Sequence, residues 1–271
     1  MGNLDDITLR ALKVLASVDV IAAEDTRTTA HLLDHHGLRT PMMAAHRHNE
    51  RRAAAAIVER LARGETVALV SDAGTPAVSD PGAIIVAEVR AAGFRVTPIP
   101  GANAAIAALS AAGMTETPFT FVGFLPSKAA ARRKAIEALR KISGALVFYE
   151  APHRIVECAQ DLAAALGGDR VILIAREITK LFEQIHRCQL DEAAAWLSMD
   201  ENRQRGEFVL VVEGAAGAVD DAEENLDRVL RPLLDELTLV QAVKLACAIA
   251  GSKKNSTYAR ALELSGEIEK K

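Results

Sequence analysis

The sequence VALVSDAGTPAVSDPG, residues 67–82, decides how the rest of the chain is interpreted. It begins with a short apolar run, which is typical of a buried parallel strand, and continues into a loop that holds two aspartates, two prolines and two glycines. In an open α/β sheet, the loops after the carboxyl ends of the strands border the ligand crevice. An ordinary strand-to-helix connection is the alternative, but it is usually about two to six residues long. Residues 72–82 are therefore predicted to hold a ligand.

Alternating strands and helices around this stretch predict the fold class. Between residues 19 and 112, short apolar strands, one of them at residues 95–98, alternate with helices, several of which end at glycines. This pattern favours a parallel sheet covered by helices on both faces. Turn-forming residues at 113–118 indicate a domain boundary, after which strands and helices resume. A small, acidic linker at residues 214–224 precedes three short helices.

The predicted organisation is therefore α/β, with two α/β domains and a small carboxyl-terminal helical module. The amino-terminal α/β domain covers residues 1–117, and the carboxyl-terminal α/β domain covers residues 118–216. A linker and the helical module follow over residues 217–271. In this module Lys253 and Lys254 lie at a turn between two helices, which suits contact with phosphates. A simple helical cap is the alternative.

Composition excludes several classes of protein. Half of the 271 residues are apolar, and no apolar run reaches the roughly 18 residues that span a bilayer. The cysteines, Cys158, Cys188 and Cys247, are far apart and odd in number, which indicates neither a disulfide framework nor a zinc site. A net charge of -4 argues against a protein that coats nucleic acid non-specifically. We expect a cytoplasmic protein with no metal and no membrane segment.

Two basic clusters inside this acidic chain could contact a nucleic acid locally. One cluster opens a predicted helix at residues 127–142 and contains Lys128, Arg132, Arg133 and Lys134. The other contains His46, Arg47, His48, Arg51 and Arg52. For both clusters the alternative is a solvated helix face.

Polar residues cluster where four predicted strands end, at residues 24–27, at 72–76 with Asp80, at 100–103 and at 150–154. The carboxyl ends of parallel strands point the same way, so the first three clusters should converge on one crevice. The chain has no G-x-G-x-x-G after a strand, no Walker A loop, no H-E-x-x-H and no G-x-S-x-G. Its glycines and prolines would instead let the backbone approach an adenosine-type cofactor closely.

Eight segments, taken in order, resemble the tetrapyrrole methylase superfamily and, within it, the branch that methylates small-subunit ribosomal RNA. They are AAEDTR (22–27), HRHNE (46–50), ALVSDAGTPAVSDPG (68–82), PIPGANAAIAALSAAG (98–113), GFLPSK (123–128), FYEAPHR (148–154), REITK (176–180) and GEFVLVVEG (206–214). The resemblance implies a homodimer with S-adenosylmethionine in the cleft between two α/β domains. It also implies 2′-O-methylation of a cytidine in the decoding region of 16S ribosomal RNA, with the small ribosomal subunit as partner.

The polar clusters and the resemblance together assign candidate site residues. By resemblance, the cofactor would be bound by loops around Asp72, Ala73, Gly74, Pro76, Pro100, Gly101 and Ala102. Candidates for a base at the ribose hydroxyl are Glu150, Asp25 and Glu177, with Glu24 as a further carboxylate. Phosphates or the nucleotide would be held by Arg27, His48, Arg154, Lys180, Lys253 and Lys254. For each ionic residue the alternative is an ion pair that ties strand ends together.

Two other functions stay open. A tetrapyrrole or other small-molecule methyltransferase of the same superfamily would use the same cofactor pocket, but would not explain the basic helix after Gly123 or the helical module. A non-catalytic protein that binds an adenosine ligand is the other possibility. In the superfamily an apolar strand precedes the segment that matches residues 2–8. We therefore expect the chain beginning at Met1 to be less stable, or to bind cofactor more weakly, than one extended by that strand.

Overall fold

A computed structural model of the chain describes residues 2–114, 118–215 and 218–266, without the side chains of residues 218–224. The chain divides into two compact units, Met1–Gly214 and Ala215–Lys271. The first unit is built around two β-sheets and the second around three helices. The predicted α/β fold class with a small helical module is confirmed.

Three short parallel strands form the first sheet: β1 (Val20–Ala23), β2 (Met42–Ala44) and β3 (Val67–Val70), with β1 in the centre. Because both edges of β1 are paired and both faces are covered, all four of its residues are buried. A turn of 3-10 helix at Leu4–Asp6 comes first. The helices of this part are α1 (Leu9–Ser17), α2 (Thr26–His35), α3 (Glu50–Ala62), α4 (Ala83–Ala91) and α5 (Ala104–Ala111).

The strand predicted at residues 95–98 is wrong, because residues 94–103 form neither a strand nor a helix. A strand needs a neighbour whose backbone groups it can pair with, and among the described strands β3 pairs only with β1. Side chains from the start of α1 bond the carbonyls of this segment instead. Arg10 donates to the Pro98 carbonyl at 2.8 Å, and Thr8 donates to the Pro100 carbonyl at 3.2 Å. The upstream strand implied by the resemblance stays a prediction.

Five strands form the second sheet: β4 (Phe119–Phe124), β5 (Ala145–Glu150), β6 (Val171–Arg176), β7 (Gln184–Gln189) and β8 (Phe208–Val212). Their order is β4-β5-β8-β6-β7, and only β4 and β5 are parallel neighbours among them. β8 comes last in the chain but lies between β5 and β6. It is buried throughout, which explains its unbroken apolar run. The connecting helices are α6 (Ala129–Glu137), α7 (Ile155–Leu166) and α8 (Leu190–Ser198).

Helices from both halves of the first unit cover this second sheet. On one face Phe148 packs with Leu162 of α7 and with residues of α8. On the other face Val147 packs with Ala108 of α5. Since α5 precedes the predicted boundary at 113–118, residues on both sides of that boundary contribute to one core. Residues 115–117 lie outside the described part of the chain, and the division between 1–117 and 118–216 stays a prediction.

The second unit contains the three predicted helices, α9 (Ala218–Glu236), α10 (Leu239–Ala250) and α11 (Lys254–Leu264). α9 begins at Ala218, so the linker predicted for residues 214–224 is wrong from that residue onward. Residues 216–217 lie outside the described part of the chain. The buried core of the unit consists of Leu226, Leu230, Val243, Ala246 and Ala261.

Candidate active site

A first cavity of about 500 Å³ lies beside β3 and the loop that follows it. Its volume falls in the range of about 300–1,000 Å³ that small-molecule sites occupy. Residues of α1 and α2 also border it. All seven residues predicted to bind the cofactor line this one cavity, namely Asp72, Ala73, Gly74, Pro76, Pro100, Gly101 and Ala102. The fold thus brings two sequence-distant loops together as expected.

Hydrogen bonds join three of the predicted polar clusters. The Asp25 amide donates to Asp72 Oδ1 at 3.0 Å, and the Asp72 amide donates to Glu24 Oε2 at 3.3 Å. The Thr75 hydroxyl lies 3.4 Å from the Ala102 carbonyl oxygen, to which it donates. The ends of β1 and β3 therefore meet at one crevice, as the common direction of parallel strands predicts, and the segment at 100–103 joins them there although no strand precedes it.

The loop between β3 and α4 has an unusual backbone conformation. Gly74 and Gly82 have φ angles of 77° and 133°, and two residues with a Cβ, Ala77 and Ser79, have φ angles of 66° and 67°. Such angles cost a non-glycine residue about 1–3 kcal/mol and persist only where surrounding contacts impose them. One such contact is the hydrogen bond from the Gly82 amide to Glu50 Oε1 at 2.7 Å. The loop is thus shaped by its surroundings.

A second cavity of about 390 Å³ lies between this loop and the second sheet. Ala73 and Gly74 border both cavities, so the two have a common wall. Tyr149 borders the second cavity and accepts a hydrogen bond from the Ala105 amide at 3.3 Å. Its ring packs edge-to-face on Phe124, with centroids 5.6 Å apart. Phe124 is 56% exposed and therefore presents an aromatic surface at the border of this cavity.

Glu150 borders the second cavity, but its side chain is buried in an ion pair. Its Oε1 accepts from Arg154 Nε at 2.8 Å and from the Ala151 amide at 2.7 Å, and Arg154 Nη2 lies 2.6 Å from the same oxygen. Arg154 also donates to the Leu125 carbonyl at 3.0 Å. Burial, together with the charge of Glu150, raises the pKa of the nearby Cys158 thiol. This arrangement ties the end of β5 to the start of α7, and a catalytic role for Glu150 stays a prediction.

The other two predicted bases, Asp25 and Glu177, border neither of these cavities. Asp25 caps α2 and pairs with Arg27 at 2.5 Å, and hydrogen bonds from Arg27 lower the pKa of Asp25 to about 2. Glu177 accepts from Lys180 Nζ at 2.8 Å and from the Glu207 amide at 2.9 Å. Burial alone would raise the pKa of Glu177, but these hydrogen bonds outweigh it and lower the pKa. The geometry favours the ion-pair alternative for both residues.

The residues predicted to hold substrate in the first unit differ in their availability. Arg27 has an 89% exposed side chain, and His48 is also exposed. Arg154 and Lys180 are engaged in the ion pairs with Glu150 and Glu177. Arg27 and His48 can therefore be reached from solvent, although Arg27 also pairs with Asp25, whereas Arg154 and Lys180 neutralise buried or half-buried carboxylates.

Lys253 and Lys254, which are predicted to contact phosphates, lie at the start of α11 in the second unit. The Lys253 carbonyl accepts from the Thr257 amide at 3.0 Å and from the Thr257 hydroxyl at 2.9 Å. These bonds fix the turn through its backbone. Both lysines are exposed, and their contact with phosphates stays a prediction.

Arg132, one of the basic residues that could contact a nucleic acid or lie on a solvated helix face, is buried instead. Its side chain is only 2% exposed, because Nε donates to Asp161 Oδ2 at 2.6 Å and Nη2 donates to Glu157 Oε2 at 3.3 Å. Charge patterning does not reveal which face of a helix packs against a neighbour, here α7. Arg133 remains available, with a 58% exposed side chain.

Asp80, in the β3–α4 loop, belongs to a predicted polar cluster, but the sequence assigns it no binding or catalytic role. It borders the second cavity. Burial raises the pKa of Asp80 to about 6, and the negative charges of Glu24 and Asp72 act in the same direction. The sequence signal is a second aspartate in the loop, but its altered pKa depends on residues at the ends of two different strands.

In the described part of the chain, no group of three or more His, Cys, Asp or Glu residues could hold a metal ion. None of the helices within residues 2–114, 118–215 and 218–266 is long and apolar enough to cross a membrane. Cys158, Cys188 and Cys247 carry free thiols.

Family models and relatives match nearly the whole chain. The model described as tetrapyrrole (corrin/porphyrin) methylases matches residues 1–194, and the model described as RsmI C-terminal HTH domain matches residues 219–265. Two relatives are named ribosomal RNA small subunit methyltransferase I. The one from Escherichia coli O157:H7 is 47% identical over 266 residues, covering 98% of this chain and 93% of that protein. The one from Vibrio cholerae is 48% identical over 269 residues, with the same two coverages.

Solved structures with a similar fold are more distant in sequence. The methyltransferase CobJ aligns with a TM-score of 0.58 and 22% identity, over 79% of this chain and 91% of that one. Uroporphyrin-III C-methyltransferase from Thermus thermophilus, complexed with S-adenyl homocysteine, aligns with a TM-score of 0.53 and 18% identity, over 77% and 91%. Both similarities support the fold. Taken with the family matches, they show that the chain belongs to the tetrapyrrole methylase family, in the group named ribosomal RNA small subunit methyltransferase I.

Proposed function

We propose that this protein transfers the methyl group of S-adenosylmethionine to the 2′-oxygen of a cytidine ribose in the decoding region of 16S ribosomal RNA. The observation that carries the proposal is the common wall of the two cavities at Ala73 and Gly74. Direct transfer requires donor and acceptor to be held in contact, and two adjoining cavities suit that requirement. The names of relatives at 47% and 48% identity support small-subunit ribosomal RNA as the acceptor.

The first cavity fits the cofactor. Gly74 and Gly101 have no side chains to obstruct it, and a Cβ added at Gly74 would lie 3.8 Å from the Ala102 carbonyl oxygen. Backbone amides and carbonyls of the two loops can therefore approach a bound adenosine closely. The Asp72 carboxylate offers an acceptor for ribose hydroxyls. When bound, S-adenosylmethionine supplies a methyl group that its positive sulfur has already made electrophilic.

The second cavity suits a nucleotide. Unstacked RNA bases commonly stack on aromatic side chains, and Phe124 and Tyr149 border this cavity. Arg27 and His48, both exposed, are available to contact phosphates. Because the methyl donor is already activated, orientation of the acceptor supplies much of the acceleration. The partner in this proposal is the small ribosomal subunit or its RNA, and the protein acts as a cytoplasmic homodimer.

A methyl-transfer assay tests this function. Radiolabelled S-adenosylmethionine is supplied with small ribosomal subunits, free 16S RNA or uroporphyrinogen, while cofactor binding is measured by calorimetry. We expect label in subunits or 16S RNA and recovery of 2′-O-methylcytidine after nuclease digestion. Label in uroporphyrinogen alone would indicate a small-molecule methyltransferase. Cofactor binding without transfer to any acceptor would indicate a non-catalytic binding protein, and either result contradicts the proposal.

A further inference from the structure

The backbone at Asp80 is fixed by contacts on both sides. The left-handed residues Ala77 and Ser79 precede it, and the Ala77 amide donates to the Pro81 carbonyl at 3.2 Å across it. β4 approaches this loop so closely that a Cβ added at Gly123 would lie 3.3 Å from Ser79 Oγ. A side chain carried by such a constrained loop has a defined position, which suits a catalytic group.

Asp80 belongs to the β3–α4 loop, which borders both the first and the second cavity. It borders the second cavity together with Ala73 and Gly74, the residues of the common wall. Tyr149 borders the same cavity, and its pKa is raised by burial and by the charge of Asp80. The Asp80 carboxylate therefore acts on groups at the place where a donor in one cavity would meet an acceptor in the other.

The carboxylates around Asp80 have different hydrogen-bond partners from Asp80 itself. Asp72 and Glu24 each accept a hydrogen bond from a backbone amide. Asp80 is partly desolvated next to both of them, and a hydrogen bond from the Ser71 side chain opposes the resulting rise in its pKa. A carboxylate whose pKa is about 6 is ionised at neutral pH and is a stronger base than an ordinary aspartate.

We propose that Asp80 accepts the proton of the ribose 2′-hydroxyl when a nucleotide occupies the second cavity. The assignment rests on the function proposed above and names its base. The 2′-oxygen forms a bond to the methyl carbon while the bond from that carbon to sulfur breaks. The electron pair of the broken bond stays on sulfur, which becomes neutral, and the hydroxyl proton passes to the Asp80 carboxylate.

Asp80→Asn keeps the size of the side chain but removes its basicity. Single-turnover methyl transfer to small subunits is measured from pH 5 to pH 8.5 at saturating enzyme and cofactor. The wild-type rate should rise with pH as the Asp80 carboxylate forms, with a midpoint at about 6, and then level off. The variant should be about 10² to 10⁴ fold slower and should lose that midpoint. Its cofactor affinity should stay within about twofold of wild type.

Three further measurements separate loss of a base from loss of structure. Glu88→Gln, on the exposed face of α4, should leave the rate unchanged. Asp80→Asn should unfold at a temperature no lower than wild type at pH 8, because the ionised Asp80 is disfavoured by its burial and its acidic neighbours. Asp80→Glu should recover part of the rate, since it restores a carboxylate.

The results of these assays show separately whether Asp80 is the base and whether the proposed function is correct. If wild type methylates the subunits and Asp80→Asn is slowed less than about threefold, Asp80 is not the base while the function stands. A slow variant that keeps the wild-type pH profile also refutes the assignment. If wild type methylates neither subunits nor 16S RNA, the proposed function fails and the assignment fails with it.

Discussion

Replacing Arg132 with methionine should destabilise the first unit strongly. The guanidinium is 2% exposed and donates to Asp161 at 2.6 Å and to Glu157 at 3.3 Å. Methionine fills similar space but leaves Asp161, only 12% exposed, without its main partner. Removing one partner of a buried ion pair costs about 3–5 kcal/mol. Because Asp161 keeps some access to water and to Arg133, we expect a loss near the lower limit, about 3 kcal/mol.

Equilibrium unfolding in urea, followed by circular dichroism, measures the free energy of unfolding of wild type and Arg132→Met. At about 2–4 °C per kcal/mol for a unit of this size, the melting temperature should also fall by about 6–12 °C. Arg133→Met is the matched control. Its guanidinium is 58% exposed and lies 3.6 Å from Asp161, so the loss should stay below about 1 kcal/mol.

A double-mutant cycle that combines Arg132→Met with Asp161→Asn measures the interaction energy between Arg132 and Asp161. The sum of the stability losses of the two single variants should exceed the stability loss of the double variant, because either single change leaves a buried partner unsatisfied. A loss below about 1 kcal/mol for Arg132→Met would refute the reasoning. So would unchanged stability accompanied by weaker RNA binding, since that result would make Arg132 a surface ligand.

Two further predictions concern the β3–α4 loop and the second unit. Gly82→Ala should cost about 2–4 kcal/mol and weaken cofactor binding, because φ is 133° and the new Cβ would lie 3.1 Å from Leu69 Cδ2. Gly93→Ala, with φ 86° and nothing within 4 Å, should cost only about 1 kcal/mol in the same melting assay, and equal losses would contradict this explanation. Changing Lys253 and Lys254 together to Ala should reduce the salt dependence of 16S RNA binding by about 1–2 in log–log slope, measured by filter binding. Lys244→Ala, an exposed lysine of α10, is its control, and an unchanged slope in the double variant would favour a simple helical cap.

The convergence of the loops after β1 and β3 could be predicted from sequence, because it follows from a general property of parallel strands. Asp72 follows β3 and Asp25 follows β1, and two parallel neighbours necessarily bring their ends together. The order of the motifs, rather than any single one, identified the family.

Features that depend on distant partners could not be predicted in this way. The segment at residues 95–98 is apolar enough for a strand, but strand formation needs a neighbour that no local pattern reveals. Arg132 has the same charge as Arg133, and only the packing of α6 on α7 decides which one is buried. The pKa of Asp80 depends on burial, on Asp72 of the same loop and on Glu24 after β1, so its basicity is a property of the fold.

The central position of β8 also has a consequence for how the chain acquires its structure during synthesis. Val212 pairs with Leu146 on one side and with Ile172 on the other, so neither half of the second sheet is closed before the last strand arrives. Pairing between such distant residues is slow because a long loop must first close. Until then, the edges of β5 and β6 expose unpaired backbone groups beside apolar side chains, which favours association between nascent chains. The period between translation of β5 and emergence of β8 is therefore when this protein is most exposed to aggregation.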